Sequence, residues 1–196
     1  LRLGEIVIDK VTSQLRHWAQ AGQELVPVSI NVSPRQFNEA DIANKLLASL
    51  ATHHIDPKFI EIELTESSMI SDSSKMSHVV TAIHNMGSKL LVDDFGTGYS
   101  SLSRLQELDF DVLKVDRAFT CQIDRSGKAG VFFKAIITMA HALGMRVVAE
   151  GVESPQQTKI LTSLCCDEIQ GYYISRPLPP DQVQPFLQKW SFPSTD

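Results

Sequence analysis

Six short runs of β-branched and aliphatic residues, each followed by a polar turn and a segment of helical periodicity, most strongly constrain how this chain folds. The runs are VPVSINVS from Val26, FIEIELTE from Phe59, KLLVDDFG from Lys89, DVLKVDR from Asp111, RVVAEGVE from Arg146 and EIQGYYI from Glu168. Regular alternation of strand and helix is typical of parallel sheets, because parallel neighbours need a crossover connection. The sequence therefore predicts an α/β fold of repeated βα units.

An internal repeat indicates which α/β fold this is. The stretch IHNMGSKLLVDDFG from Ile83 aligns with AHALGMRVVAEGVE from Ala140. The aligned pairs are His84 with His141, Gly87 with Gly144, Lys89 with Arg146, and Asp93 with Glu150. Both copies place a carboxylate where an apolar strand ends, which favours a (β/α) barrel of the TIM type. An open doubly wound sheet, which tolerates six strands, is the alternative.

The chain carries about six of the eight βα units that close such a barrel. An open barrel would expose strand edges, which tend to pair or aggregate. With 196 residues, 43% of them apolar, the chain has the size of one domain with one core. We therefore predict a single barrel domain over residues 1–196 that lacks its first strands.

Charge and hydropathy limit the partners of the chain. The 18 basic and 23 acidic residues give a net charge of −5, which argues against a general surface for nucleic acid or anionic membrane. A small anionic ligand would therefore need help from a cation. No apolar run reaches the roughly 18 residues of a membrane span, and the first residues lack the pattern of a signal peptide. We expect a cytoplasmic protein, either by itself or within a larger membrane-tethered one.

Polar side chains lie late in the predicted strands, where apolar residues give way to turns. They are Asn31, Glu63, Asp93, Asp94, Lys114, Asp116, Glu150 and Gln170. In a parallel barrel these positions converge at the C-terminal mouth, where barrel active sites lie. Converging carboxylates repel one another unless a cation neutralises them, and oxygen ligands select Mg²⁺ or Mn²⁺. The pattern predicts two ions and suits phosphodiester hydrolysis. Any one acid alone would more often belong to a solvated turn or a helix cap, but the shared position of all of them favours a site.

Other chemical motifs are missing from the sequence. All six histidines lie on predicted helices or at their ends, so none is a good ligand or base. The chain contains no phosphate-binding G-x-x-x-x-G-K and no zinc-binding H-E-x-x-H. The glycines of DDFGTGYSSL lack the full dinucleotide-binding spacing and favour a flexible loop over the mouth.

Six motifs resemble those of the EAL phosphodiesterase family in order and spacing. They are SINVSPRQF from Ser29, ELTES from Glu63, DDFGTGYSSL from Asp93, KVD from Lys114, AEGVE from Ala149 and QGYYISRPLP from Gln170. The likeness covers nearly the whole chain. Members of this family are barrels that cleave cyclic di-GMP to linear pGpG with two Mg²⁺ or Mn²⁺ ions. The resemblance thus implies a metal-dependent phosphodiesterase that lowers bacterial cyclic di-GMP signalling.

The resemblance also implies the metal ligands. They are Asn31, Glu63, Asp93, Asp94, Asp116 and Glu150. Of these, the first three would hold one ion, and Asp93 would bridge to the second. Asp94 and Asp116 would serve the second ion, with Glu150 as a ligand or as the base that acts on water.

The resemblance implies roles for three further residues. Lys114 would orient the attacking water and steady the phosphate, and it could also pair with neighbouring acids. Gln170 would hold water or phosphate. Glu66 would anchor the mobile loop Gly96-Thr97-Gly98.

One departure from the family pattern is serious. The Glu-Ala-Leu tripeptide, whose Glu is a metal ligand on an early strand, does not occur here. Residues 1–20 match only the helix that follows that strand. Because every other expected ligand is present, we favour loss of an N-terminal piece over decay of the site.

The same resemblance leaves two other functions open. An inactive domain that binds cyclic di-GMP and signals to a partner protein is the main alternative, and a protein-interaction module that binds no nucleotide is the weaker one. We expect a homodimer, formed through residues 100–108 and the helix after Asp116, with Leu102, Leu105 and Leu108 as the apolar set. A sensor or diguanylate-cyclase domain is expected upstream.

Overall fold

The computed structural model describes residues 2–37, 42–70, 73–98, 102–124 and 127–190. The chain divides into two compact units, of which the first comprises Leu1–Lys114 with Leu143–Met145 and the second comprises Val115–Ala142 with Arg146–Asp196. The boundary falls inside a strand. The single domain expected over residues 1–196 stays a prediction.

The first unit is built around parallel strands. These are β1 (Val28–Asn31), β2 (Ile60–Thr65), β3 (Lys89–Phe95) and, up to Lys114, β4 (Val112–Val115). They follow one another in chain order, and β1 pairs with β2 and β2 with β3 in parallel. A doubly wound sheet would reverse its strand order at a switch point, and the described strands of this unit show no reversal. The register places Asn31 beside Glu63 and Thr65 beside Asp93, so the late residues of these strands share one edge.

Helices pack around the strands of the first unit. They are α1 (Arg2–Gln20), α2 (Pro34–Phe37), α3 (Ile42–His53), α4 (Ser73–Met86) and α5 (Leu102–Glu107), with short 3₁₀ segments at Pro57–Phe59 and Glu66–Ile70. The buried residues Ile8, Thr12 and Leu15 recur at helical spacing and give α1 one inward face. The Thr12 hydroxyl lies 2.8 Å from that of Ser49 on α3, which ties the two helices together. Within the described part of the chain, no helix is long and apolar enough to cross a membrane.

The second unit begins with the last residue of β4. Its elements are α6 (Arg117–Thr120), α7 (Gly127–Ala142), β5 (Arg146–Ala149), α8 (Pro155–Ser163), β6 (Glu168–Ile169) and α9 (Pro180–Lys189). Strands β5 and β6 are parallel. Phe133, Ile137 and Ala140 are fully buried at helical spacing and form the inner face of α7. Ser154 and Gln157 form a capping box that starts α8.

The last predicted strand is shorter than expected. The sequence predicted a run from Glu168 to Ile174, but the strand ends at Ile169. The Gln170 N–H still donates to the Ala149 carbonyl at 2.8 Å, after which Gly171 packs against the backbone of Val152 and the chain turns. The run looks like a strand because its residues are β-formers, whereas close backbone packing at Gly171 ends it.

The internal repeat corresponds to a repeated contact, one copy in each unit. In the first, His84 lies 3.1 Å from the Asp111 carboxylate, and the same oxygen accepts a 2.8 Å hydrogen bond from the Leu90 N–H. In the second, His141 lies 2.7 Å from Asp167, whose same oxygen accepts from the Val147 N–H at 2.8 Å. Each carboxylate joins the end of a helix to the start of the next strand. The aligned histidines are therefore structural, as their helical positions predicted.

We expect this contact to make stability depend on pH. Burial raises the pKa of the Asp167 carboxyl, but hydrogen bonds from His141 and Val147 outweigh burial and hold the pKa below its usual 3.8. A lowered pKa stabilises the fold above the usual value, and that contribution is lost as pH falls through the folded value. The wild type should therefore be more stable than Asp167→Asn at neutral pH, with the gap closing below pH ~4. Thermal unfolding of both proteins from acid to neutral pH measures it, and a constant gap would contradict the prediction.

Candidate functional site

Three of the predicted site residues meet in the interior of the first unit. The Lys114 ammonium lies 2.9 Å from Glu63 Oε1 and 2.9 Å from Asp93 Oδ1. The relative exposures are 6% for Glu63, 9% for Asp93 and 5% for Lys114. The three residues lie late in β2, β3 and β4, so neighbouring strands bring them together. Removing three charged groups from water is costly unless they neutralise one another, and the two short contacts do this in part.

The charges of this cluster do not balance. Two carboxylates face one ammonium, and Asp93 Oδ1 is a buried oxygen without a hydrogen-bond partner among the described residues. Its 2.9 Å contact with Lys114 is an ion pair whose angles fall outside those of a hydrogen bond. A buried acceptor left without a hydrogen bond is unfavourable. An excess of negative charge with an unsatisfied carboxylate oxygen fits a hard divalent cation such as Mg²⁺ or Mn²⁺.

Asn31 and Asp94 lie close in sequence and register to this cluster. Asn31 ends β1 beside Glu63 in the parallel register, and its side chain is exposed. Asp94 is exposed and has a φ of 56°, in the left-handed region that Asp tolerates better than most residues. The extended backbone of β3 is therefore interrupted at Asp94, which the sequence pattern alone did not predict.

Glu66 contacts the glycine loop that follows β3. Its Oε2 atom accepts hydrogen bonds from the Gly96 N–H at 2.7 Å and from the Gly98 N–H at 3.4 Å. The carboxylate is only 3% exposed, and a Cβ on Gly98 would lie 3.2 Å from Glu66 Oε1. Glycine thus lets the loop approach the acid closely. The rest of the DDFGTGYSSL loop, residues 99–101, lies outside the described residues.

Removing the Glu66 carboxylate should loosen this loop. In Glu66→Ala the two glycine N–H groups lose a charged acceptor, a loss of about 1.5–3 kcal/mol for such a hydrogen bond. We expect the Gly96 and Gly98 amides to exchange with solvent about 10- to 100-fold faster, as measured by hydrogen exchange. Glu66→Gln, which keeps one acceptor oxygen, should show a smaller increase. Unchanged exchange in the alanine variant would refute the anchoring contact.

The second unit holds the other predicted residues. Asp116 Oδ1 accepts a 2.8 Å hydrogen bond from the Ala118 N–H and so caps α6, one of the roles that a single acid in this pattern could have. The Glu150 N–H donates to the Val115 carbonyl at 3.0 Å, which fixes Glu150 just beyond β5. Gln170 directly follows β6 and is exposed.

Sequence reasoning missed an arginine in this unit. The Arg117 side chain crosses Gly151, where a Cβ would overlap its aliphatic carbons, and its guanidinium lies 2.9 Å from Glu153 Oε1. Gly151 has a φ of 68°, which favours glycine. Arg117 therefore packs over the segment that follows Glu150. The available signal was the glycine after the glutamate in AEGVE together with the arginine after KVD.

The structure thus brings the site residues together in two groups. Glu63, Asp93 and Lys114 form one group in the first unit. Asp116 and Glu150 lie at strand ends in the second unit. Their convergence with Glu63 and Asp93 in one cavity stays a prediction.

Two of the three leucines expected at a dimer interface are buried, and the side chain of Leu102 lies outside the described residues. Leu105 and Leu108 are each 3% exposed and belong to the core, which corrects the expectation that they form a contact surface. Ser100 and Ser101 lie outside the described residues. On α7, the second helix after Asp116, Val131 and Phe132 are 73% and 52% exposed.

Comparisons with known proteins all point to one family. The family model described as EAL domain matches residues 1–177. The chain is 36% identical over 191 residues to the cyclic di-GMP phosphodiesterase NbdA of Pseudomonas aeruginosa. The aligned region covers 97% of this chain and 24% of NbdA. It is also 33% identical over 183 residues to the bifunctional diguanylate cyclase/cyclic di-GMP phosphodiesterase MucR of the same species. This aligned region covers 93% of this chain and 27% of MucR. The chain spans about a quarter of the length of these curated relatives.

Solved structures show the same fold. The EAL domain of Mycobacterium smegmatis DcpA matches with a TM-score of 0.91 and 30% identity, over 97% of this chain and 86% of that one. The PaMucR phosphodiesterase in complex with c-di-GMP matches with a TM-score of 0.86 and 33% identity, over 93% of this chain and 74% of that one. The predicted TIM-type α/β fold is therefore confirmed over the doubly wound alternative.

Proposed function

This chain belongs to the EAL domain family, and we propose that it hydrolyses cyclic di-GMP to linear pGpG by a two-metal mechanism. The observation that carries the proposal is the buried cluster of Glu63, Asp93 and Lys114, in which Asp93 Oδ1 has no hydrogen bond from the described part of the chain. Relatives that are named cyclic di-GMP phosphodiesterases support the choice of substrate.

The proposed ions are held by oxygen ligands. We assign Asn31, Glu63, Asp93, Asp94, Asp116 and Glu150 to two Mg²⁺ or Mn²⁺ ions. Carboxylate and amide oxygens suit these hard ions, and no nitrogen or sulfur ligand is required. Such ions, when bound, stabilise the negative charge that develops on the phosphate oxygens.

The side chains around the ions carry the other steps. Glu150 takes the proton of the attacking water as the water oxygen bonds to phosphorus, because a carboxylate held at the end of β5 can act as a general base. The bond from phosphorus to the 3′ oxygen breaks, and that oxygen takes a proton from solvent. Lys114 places its positive charge toward the phosphate and orients the water. Gln170, just beyond β6, offers an amide to water or phosphate. Glu66 holds the Gly96–Gly98 loop through its two hydrogen bonds.

A turnover assay on the full-length protein tests this proposal. Formation of pGpG from cyclic di-GMP should require Mg²⁺ or Mn²⁺ and stop when a chelator is added. Asp93→Asn should reduce turnover strongly, because it removes the shared negative charge of the cluster. If cyclic di-GMP binds but is not turned over with either Mg²⁺ or Mn²⁺, the result would instead support a receptor that signals to a partner protein. If cyclic di-GMP does not bind at all, the result would support a protein-interaction module.

We also propose that the protein forms homodimers through α7. The exposed side chains of Val131 and Phe132 form an apolar surface, to which Phe119 adds a ring stacked 5.2 Å from that of Phe132. Phe132→Asp should convert the dimer to monomer in sedimentation velocity, because it would bury a charge in the interface. Lys134→Ala, an exposed change on the same helix, is the control. A wild type that stays monomeric at high concentration would contradict the proposal.

The protein is proposed to act in the cytoplasm and to join this domain to another. The relative MucR is a bifunctional diguanylate cyclase and phosphodiesterase, and the chain matches only 27% of it. A sensor or diguanylate-cyclase domain is therefore the partner that we propose within the same polypeptide.

A further inference from the structure

The Lys114 ammonium occupies a position that favours competition with metal ions. Its nitrogen is equally close, at 2.9 Å, to one oxygen of Glu63 and one of Asp93. We propose that Lys114 is a tethered counter-ion that competes with divalent cations for these two carboxylates and so sets how tightly the site binds metal. The inference rests on the proposed function in that it takes Glu63 and Asp93 as metal ligands.

Burial makes the lysine charge effective. The side chains of Glu63 and Lys114 are 7% and 6% exposed, and that of Asp93 is 12% exposed. Salt and water screen such buried charges far less than they screen surface charges. The residues beside them on the strands, Leu64 and Leu113, are fully buried and apolar. The electrostatic effect of one ammonium on these carboxylates is therefore large.

Competition follows because ammonium and metal need the same atoms. A cation bound to Glu63 Oε1 or Asp93 Oδ1 would lie close to the Lys114 nitrogen, and like charges at short range repel. Asp93 Oδ1 has no hydrogen bond within the described ranges of the chain, so the ammonium supplies charge there but not a full set of contacts. A divalent ion offers more charge to the same oxygens and can displace the lysine.

Removing the Lys114 charge should lower stability without metal and raise the affinity for metal. Lys114→Met keeps the length and apolar stem of the side chain but removes the ammonium. Without metal, the variant leaves two buried carboxylates unneutralised and should be less stable. With metal, it no longer repels the incoming ion and should bind that ion more tightly.

Calorimetric titration of the full-length protein with Mn²⁺ alone measures the competition. We expect Lys114→Met to bind Mn²⁺ about tenfold or more tighter than the wild type. In chelator its melting temperature should fall by about 5 °C or more, and Mn²⁺ should restore it. Lys134→Met is the matched control, because Lys134 is exposed and, among the described residues, donates to the Leu164 carbonyl at 2.9 Å. The Mn²⁺ affinity of this variant should equal that of the wild type. Equal or weaker Mn²⁺ binding by Lys114→Met would overturn the inference, since it would make the lysine a positioning group for the acids.

A second pair of variants keeps the test valid if Lys114→Met does not fold. Glu63→Gln and the double variant Glu63→Gln with Lys114→Met differ only in the ammonium, and the double variant buries one carboxylate without a counter-ion. It should bind Mn²⁺ more tightly than Glu63→Gln does, and the reverse order would overturn the inference. These measurements use no nucleotide, so the two proposals can fail separately. Normal turnover without the expected order of Mn²⁺ affinities would refute only the inference about Lys114. The expected order of affinities without any turnover would refute only the phosphodiesterase proposal.

Discussion

Glu150→Gln is expected to lower turnover of cyclic di-GMP by about 10²- to 10⁴-fold while leaving nucleotide binding largely in place. The amide keeps the shape of the side chain but has neither the negative charge nor the basicity to take a proton from water. Only interactions that strengthen in the transition state are lost selectively, so the catalytic rate falls more than the affinity does. The backbone hydrogen bond from Glu150 to Val115 does not involve the side chain and remains.

The measurement pairs a turnover assay with calorimetry in Ca²⁺, a hard ion expected to fill the site without supporting the reaction. Glu168→Gln is the matched control. Glu168 starts β6 and pairs with Arg146, which starts β5, so the same chemical change is made at the end of the strands away from Glu150 and Gln170. Near-normal turnover in Glu150→Gln would show that the chain is an enzyme whose general base is a different residue, and Lys114 and Asp116 would be the next candidates.

Gly171→Ala is expected to reduce the free energy of unfolding by about 3 kcal/mol. A Cβ at this position would overlap the backbone nitrogen and carbonyl oxygen of Val152, which cannot rotate away as a side chain can. Relief requires the two segments to separate, and that would break the 3.0 Å hydrogen bonds from Val152 to Gln170 and from Tyr173 to Val152. The predicted substrate contact, Gln170, would move with them.

Gly130→Ala is the control for this prediction. A Cβ on Gly130 would meet nothing within 4 Å, and the residue lies inside α7, where alanine is the better helix former. This variant should gain up to about 1 kcal/mol. Denaturant unfolding of both variants against the wild type gives the comparison. If the two alanines changed stability by the same amount, the close packing at Gly171 would carry no energetic weight.

Much of the fold followed from local pattern. Alternating strand and helix segments predicted parallel strands because side-chain periodicity and turn residues are local properties, and the observed pairings of β1 with β2, β2 with β3 and β5 with β6 are parallel. The same pattern predicted that polar residues late in neighbouring strands share an edge. The repeat that aligns His84 with His141 likewise reflected a repeated contact with an aspartate.

Packing decided what the pattern could not. Leu105 and Leu108 are buried, although their spacing was equally compatible with an exposed interface. The sixth strand ends early because Gly171 meets the backbone of Val152, a contact between residues of two different segments.

By itself, the sequence determined which residues carry charge and in what order along the strands they occur, because both depend only on local chemistry and periodicity. The tertiary structure alone decided that the Lys114 ammonium lies between the carboxylates of Glu63 and Asp93. Distances between side chains on different strands depend on register and twist, which no local pattern specifies. The balance of two acids against one buried lysine, on which metal affinity is proposed to depend, therefore arises only in the folded chain.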